Sequence, residues 1–267
     1  MSRLSSFPHA RAARHVRSAG LPFVLLAALA VDAAGAEPVS PAEVLLFETD
    51  HLATMKAPAT LVYEFRKLSN IEPAFTDSVQ LDVSRSKGQV HAALRFLSGA
   101  RRHALSEVDD AHGNPVLLGF LEHDIAEMKR LTGGSVTYFR KRIRMALANS
   151  AALTPERISY QGKTIAAQAV RIQPYRDDPL HARFEHYLRK TYTFVLSDAV
   201  PGGLYQVRAS LGSPGDGPPP AGTVVARTAA QGAPAPGALK PGGAPPAALM
   251  PVIDETLTLA KVVDPPH

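Results

Sequence analysis

The sequence predicts an α+β domain: a large, curved antiparallel sheet, a half-barrel, with two helices packed on one face. Three observations predict it. Short runs in which apolar and polar residues alternate follow one another, separated by turn residues. Two stretches, Pro41–Met55 and Leu117–Leu131, carry the helical period instead. The chain has no cysteine, so a fold of this size must be held by core burial rather than by disulfides.

The first 36 residues have the order of a secretory signal peptide. Arg3, Arg11, Arg14 and Arg17 form a basic region, Leu21–Val31 (LPFVLLAALAV) an apolar run, and Ala34-Gly35-Ala36 a small-x-small site. The apolar run falls short of the roughly 20 residues of a membrane span. Cleavage after Ala36 and residence in a periplasm are therefore expected. The 231 residues after Ala36 hold 25 basic and 23 acidic side chains, a net charge of only +2. The alkaline character is partly that of the leader and gives no argument for nucleic acid.

Elements follow in order. Ser40-Pro41-Ala42-Glu43 reads as an N-cap, an N1 proline and an acidic first turn. Val44, Leu45, Phe47, His51, Leu52 and Met55 continue it as a helix. Leu61, Tyr63 and Phe65, then Val79, Leu81 and Val83, then Val90, Ala92, Leu94 and Phe96 alternate as strands of a meander with one wet face. Arg102–Val108 is expected as the next strand. In the second helix Leu117, Leu121, Ile125, Met128 and Leu131 form the stripe, with Glu122, Asp124, Glu127, Lys129 and Arg130 mostly outside it. Gly133-Gly134 stops it. Strands are expected again at Val136–Met145, Arg157–Tyr160, Thr164–Ile172, Phe184–Leu196 and Leu204–Ala209. Gln161-Gly162 and Val200-Pro201-Gly202-Gly203 supply turns between them.

Residues 37–211 thus make the domain. From Gly212 to Pro251 the chain holds ten Pro and eight Gly in 40 residues, a composition that predicts a disordered insertion. In residues 252–267, Glu255–Val263 alternates as a final strand of the same domain before a tail. A dispensable tail is the alternative.

This layout resembles the LolA/LolB-like envelope proteins. The matching pieces are Ala42–Met55 before Thr60–Arg66 (TLVYEFR), the helix Leu117–Leu131, and Lys190–Asp198 (KTYTFVLSD) before Val200–Gly203. The resemblance rests on element order and implies an incomplete barrel around a hydrophobic cavity. It also implies an acyl or hydrophobic ligand, or a lipidated protein, as partner, with peripheral contact to a membrane. The Pro/Gly segment departs from it, and no family site residue is carried over.

The sharpest polar feature is Tyr138–Arg144 (YFRKRIR). As a strand it puts Tyr138, Arg140, Arg142 and Arg144 on one face, three guanidiniums able to hold a phosphate, carboxylate or acidic surface. The competing reading is a solvated sheet face paired to Asp or Glu, and a helix would scatter the arginines. Tyr63, Phe65, Phe96, Leu121, Ile125 and Met128 are the candidate cavity-lining residues, against an ordinary filled core. No catalytic residue, metal ligand or cofactor is assigned. His181, Glu185 and His186, and His123 beside Glu122 and Asp124, lack zinc-site spacing. Asp109-Asp110 and Asp177-Asp178 sit in expected turns, and no G-x-S-x-G elbow is present.

The functional expectation is an exported, non-catalytic protein that binds a lipid, a lipidated protein or another hydrophobic partner. The alternatives are an interaction module and, third, an envelope hydrolase. A buried titratable cluster in a cleft would favour the hydrolase, and a packed interior the interaction module.

Overall fold

The computed structural model describes residues 39–53, 55–104, 107–212 and 251–264. The leader 1–36 and nearly all of the Pro/Gly segment lie outside the described residues. The chain enters its sheet in the middle. β1 (Ala59–Ser69), β2 (Phe75–Ser86) and β3 (Gln89–Phe96) step outward to the short β4 (His103–Ala104), while β5 (Val108–Asp109) also pairs β3. Two helices, α2 (Pro115–Thr132) and α3 (Val136–Ser150), then carry the chain across. β6 (Ala152–Tyr160) begins the opposite edge, and β7 (Lys163–Ile172), β8 (Thr191–Leu196) and β9 (Leu204–Leu211) walk back in. β10 (Ile253–Val263) closes the gap between β9 and β1, pairing antiparallel with both. The order is β4-β3-β2-β1-β10-β9-β8-β7-β6. The final strand is central to the sheet and belongs to the domain.

The sheet is curved, and α2 shows why. The His123 ring lies 5.3 Å from Phe96 on β3, while the next residue, Asp124, accepts a 2.5 Å hydrogen bond from Tyr192 on β8. Those strands are five places apart, about 24 Å in a flat sheet at the usual strand spacing. A helix about 10 Å wide cannot span that. The sheet therefore wraps around it. Inward positions on β1 are Ala59, Leu61, Tyr63, Phe65 and Lys67, all buried at every second residue, as half-buried strands require.

Local chemistry places the helices. Asn114 caps α2 by accepting from Val116 N, Pro115 occupies the first turn, and Gly133 ends the helix in the left-handed region at φ 67°. Ser40 and Glu43 form a reciprocal capping box, and Ser40 Oγ donates to Leu147 O on α3.

Several expected elements are corrected. The opening helix is shorter: α1 (Pro41–Glu43) runs into a π-helical turn, Val44–Glu48, and then breaks. Val136–Met145 is helix, not strand. Ser135 caps it by accepting from Tyr138 N, and Phe139, Ile143, Ala146 and Leu147 form a buried helical stripe. Alternation in YFRKRIR is compatible with both periods; exposure of Lys141 between buried Phe139 and Ile143, and burial of Ala146 and Leu147 beyond, select the helix. Phe184–Leu196 is not one strand either. α4 (His181–Phe184) and a 3₁₀ turn, Glu185–Tyr187, precede β8.

A buried ionic cluster and its cleft

Helix geometry dismantles the expected arginine row. On α3 successive residues turn 100°, so Arg140, Arg142 and Arg144 no longer share a face. Arg140 forms a two-point pair with Glu122 at 2.9 and 2.7 Å on the outer surface. Arg142 turns inward, donating to Pro174 O at 3.1 Å, with its Nε 3.6 Å from Asp178. Tyr138 donates its hydroxyl to the same Asp178, whose charge adds to the effect of burial and pushes the phenol up to about 12. Arg144 is exposed. Tyr138 and Arg142 are thus brought together as a clamp on the 174–180 loop. Arg140 and Arg144 are not part of it.

The six candidate cavity residues do meet. Tyr63, Phe65, Phe96 and Met128 have no accessible surface, and Leu121 and Ile125 have 5% and 2%. Phe65 packs against Phe96 and Phe120 at ring separations of 6.1 and 6.4 Å. With no surface left, no water-sized void touches the four fully buried side chains. They fill the space between sheet and α2.

Where the apolar rows end, charge takes over. Lys67 continues the inward alternation of β1 after Phe65, and Glu255 continues that of β10 after Leu257. Lys67 Nζ lies 3.0 Å from Glu255, 2.8 Å from Glu127 on α2 and 3.0 Å from Glu72. Arg130 closes the network, 2.5 Å from Glu72 and 2.6 Å from Glu127. Burial alone would lower the Lys67 pKa. The charge of Glu255 and the three carboxylate hydrogen bonds outweigh it, holding the amine well above its ordinary value. Burial would likewise raise Glu127, but Arg130 and Lys67 bring it down to about 2. Glu255 goes the other way: burial and the charge of Asp124 raise it despite the two lysines.

A second buried group adjoins. Asp124, fully buried, accepts from Lys190 Nζ and from Tyr192 OH, each at 2.5 Å. Tyr192 OH lies 3.4 Å from Tyr175 OH. Burial first, and then the Asp124 charge, push the Tyr192 phenol far up. His123 faces inward on the same helix, edge-on to Phe65 at 5.4 Å, with Nε2 4.0 Å from Glu255 Oε2.

The ionic cluster is one wall of an open cleft of about 320 Å³. Lys67, Glu72, His123, Glu127 and Arg130 line it together with Pro73, Phe75, Leu97 and Arg101. Arg101 lies 4.2 Å over the Phe75 ring. A lysine held charged by three carboxylates is no nucleophile. What the cleft offers is a mixed lining: apolar surface at Pro73, Phe75 and Leu97, a guanidinium at Arg101, an ion-paired Arg130, and a histidine near the buried Glu255. Among the described residues no three His, Asp or Glu side chains converge as metal ligands would.

Sequence reasoning missed this cluster and put Asp124 on the solvent side of the helix, where the structure buries it completely. A signal was present. Lys67 and Glu255 both sit at the inward parity of their strands, where a charge must find a partner. The chain matches no protein-family model, and a search of curated proteins returns no match.

Proposed function

We propose that this chain is an exported, non-catalytic binding protein for a small amphiphile, an acyl or other apolar segment carrying an anionic head. The observation that carries the reading is the mixed lining of the cleft. Phe75, Leu97 and Pro73 give apolar surface to a ligand's chain, and Arg101, lying over the Phe75 ring beside them, gives a guanidinium to its head. A volume of about 320 Å³ is at the low end for ligand sites, roughly 300–1,000 Å³. It suits one short chain or head group rather than a whole multi-acyl anchor. The order of elements, with crossover helices inside a wrapped sheet that is not closed, supports the LolA/LolB-like reading. The leader at Arg3–Ala36 supports export.

The test is binding of a medium-chain alkyl phosphate and of the matching neutral alcohol, measured by calorimetry. The phosphate is expected to bind at least about tenfold more tightly, since a hydrogen bond to a charged group contributes roughly 1.5–3 kcal/mol. Arg101→Ala should remove most of that preference. If folded protein takes up neither probe, the reading fails.

The contact between His123 and Glu255 favours a second reading, hydrolysis in the same cleft with His123 as general base. Turnover of short-chain ester or phosphoester substrates, lost in His123→Ala while probe binding is kept, would replace the first reading with this one.

A further inference from the structure

The arginines first noticed in the sequence serve a different surface. On α3, Thr137, Arg140, Lys141, Arg144, Met145 and Ala148 are all exposed. At 3.6 residues per turn they occupy one arc of roughly 140°, opposite the buried stripe of Phe139 and Ile143. The helix contains four cations and no acid. Arg140 is paired to Glu122 and Arg142 is turned inward. Among the described residues, Lys141 and Arg144 have no ion-pair partner.

The Glu122–Arg140 pair also joins this arc to the outer side of α2, where Leu118, Ala126 and Lys129 are exposed alongside it. Leu118 is 56% and Met145 42% exposed. The two helices thus present one face with unpaired cations in the middle, a further lysine on α2 and large apolar side chains beside them. The one carboxylate on it is already neutralised.

We propose that the outer face of α2 and α3 docks reversibly on an anionic lipid bilayer. Lys141, Arg144 and Lys129 would meet phosphate head groups, and Leu118 and Met145 the hydrocarbon boundary. Exposed apolar side chains among unpaired cations fit a bilayer, which accepts them without a matching set of pockets. An acidic protein partner would use the charges and leave Leu118 and Met145 unexplained. With so few anchors the contact is weak and easily released. α2 is shared between two surfaces, since Glu127 and Arg130 edge the cleft while Leu118 and Ala126 carry the docking face. The inference does not depend on what the cleft holds.

The experiment is co-sedimentation of the protein, as recovered from the expressing cell, with phosphatidylcholine vesicles with and without phosphatidylglycerol. The protein is expected to sediment with the anionic vesicles only, and less as salt is raised. Lys141→Glu/Arg144→Glu should weaken that partition by more than about twentyfold, each surface charge being worth about fivefold. Leu118→Ser should weaken it while leaving the salt dependence unchanged. The melting temperature of each variant is measured alongside, and the paired alanine variant replaces the charge reversal if that one is unstable. Equal binding to neutral vesicles, no binding to either, or an unaffected, folded charge variant would overturn the proposal. So would capture by polyglutamate in place of vesicles, which would give the face to an acidic protein.

Discussion

Lys67 and Glu255 face each other directly across the β1–β10 ladder, their charged atoms 3.0 Å apart and their side chains 4% and 2% exposed. Each stands at the position where its strand's alternation calls for another apolar residue. The pair joins the chain's first strand to its last at the inner end of the cleft. Two more carboxylates, Glu127 and Glu72, share the lysine, so removing it leaves Glu255 without its ion pair and those two with Arg130 alone.

Replacing Lys67 by Met should therefore cost about 3–5 kcal/mol, the usual loss when one member of a buried pair is removed. Lys67→Met/Glu255→Gln should recover a large part of it, because the buried carboxylate goes with its partner. Urea denaturation of the wild type and both variants measures the difference. An additive double variant would show that the two residues are not coupled.

Acid should loosen the same corner. The Glu127 pKa is depressed to about 2 in the folded protein from an ordinary 4.5, so its contribution is fully present above pH 4.5. It is lost as pH falls through the folded value. The depressed Glu72 adds in the same direction. By linkage a shift of this size corresponds to about 3 kcal/mol. Thermal melts between neutral pH and pH 2 should show an acid limb that is visibly flatter in Glu127→Gln. Glu255, whose pKa is raised, has the opposite sign: it takes up a proton more readily folded than unfolded. Its presence therefore offsets part of the acid loss.

Asn114 ties the opposite end together. Its side chain donates to Tyr63 OH at 3.0 Å and Gly202 O at 2.8 Å, and accepts from Val116 N to start α2. Its backbone N–H donates to His51 Nδ1. Asn114→Ala should cost about 2–4 kcal/mol, a lost cap plus buried groups left without partners. Chemical denaturation tests it. A loss under about 0.5 kcal/mol would mean water replaces the amide.

Truncation before Ile253 should abolish folding rather than trim a tail. β10 carries inward-facing Ile253, Glu255, Leu257 and Leu259 and hydrogen-bonds strands on both sides. Without it Lys67 loses a partner and the sheet divides into two pieces with open edges. Circular dichroism of the truncated chain should show loss of cooperative melting.

Much of the architecture was legible in local sequence. The alternation of Leu61, Tyr63 and Phe65, the helical stripe Leu117–Leu131 with its glycine stop at Gly133, and the Gln161-Gly162 turn need no tertiary information. Their signals are steric and repeat within a few residues. The α3 segment was different. In Tyr138–Arg144 the same residues satisfy a two-residue and a near-four-residue period, so local pattern alone is ambiguous. The Ser135 cap and a buried row of Phe139, Ile143, Ala146 and Leu147 that skips exposed Lys141 resolved it. The filled state of the Phe65–Phe96 interior was also beyond local reading, because it depends on how closely α2 lies against a curved sheet.

By itself, then, the sequence determined the α+β class, the inward faces of β1, β2 and β3, the body and glycine stop of α2, and membership of Glu255–Val263 in the domain. Only the tertiary structure decided that β10 lies at the centre of the sheet, that Asp124 is buried, and that Lys67, Glu127 and Glu255 meet. The physical reason is range. Periodicity and capping are set by bonds between near neighbours. The partner of a buried charge is chosen by which distant strands and helices pack together, and here those partners come from residues nearly two hundred positions apart.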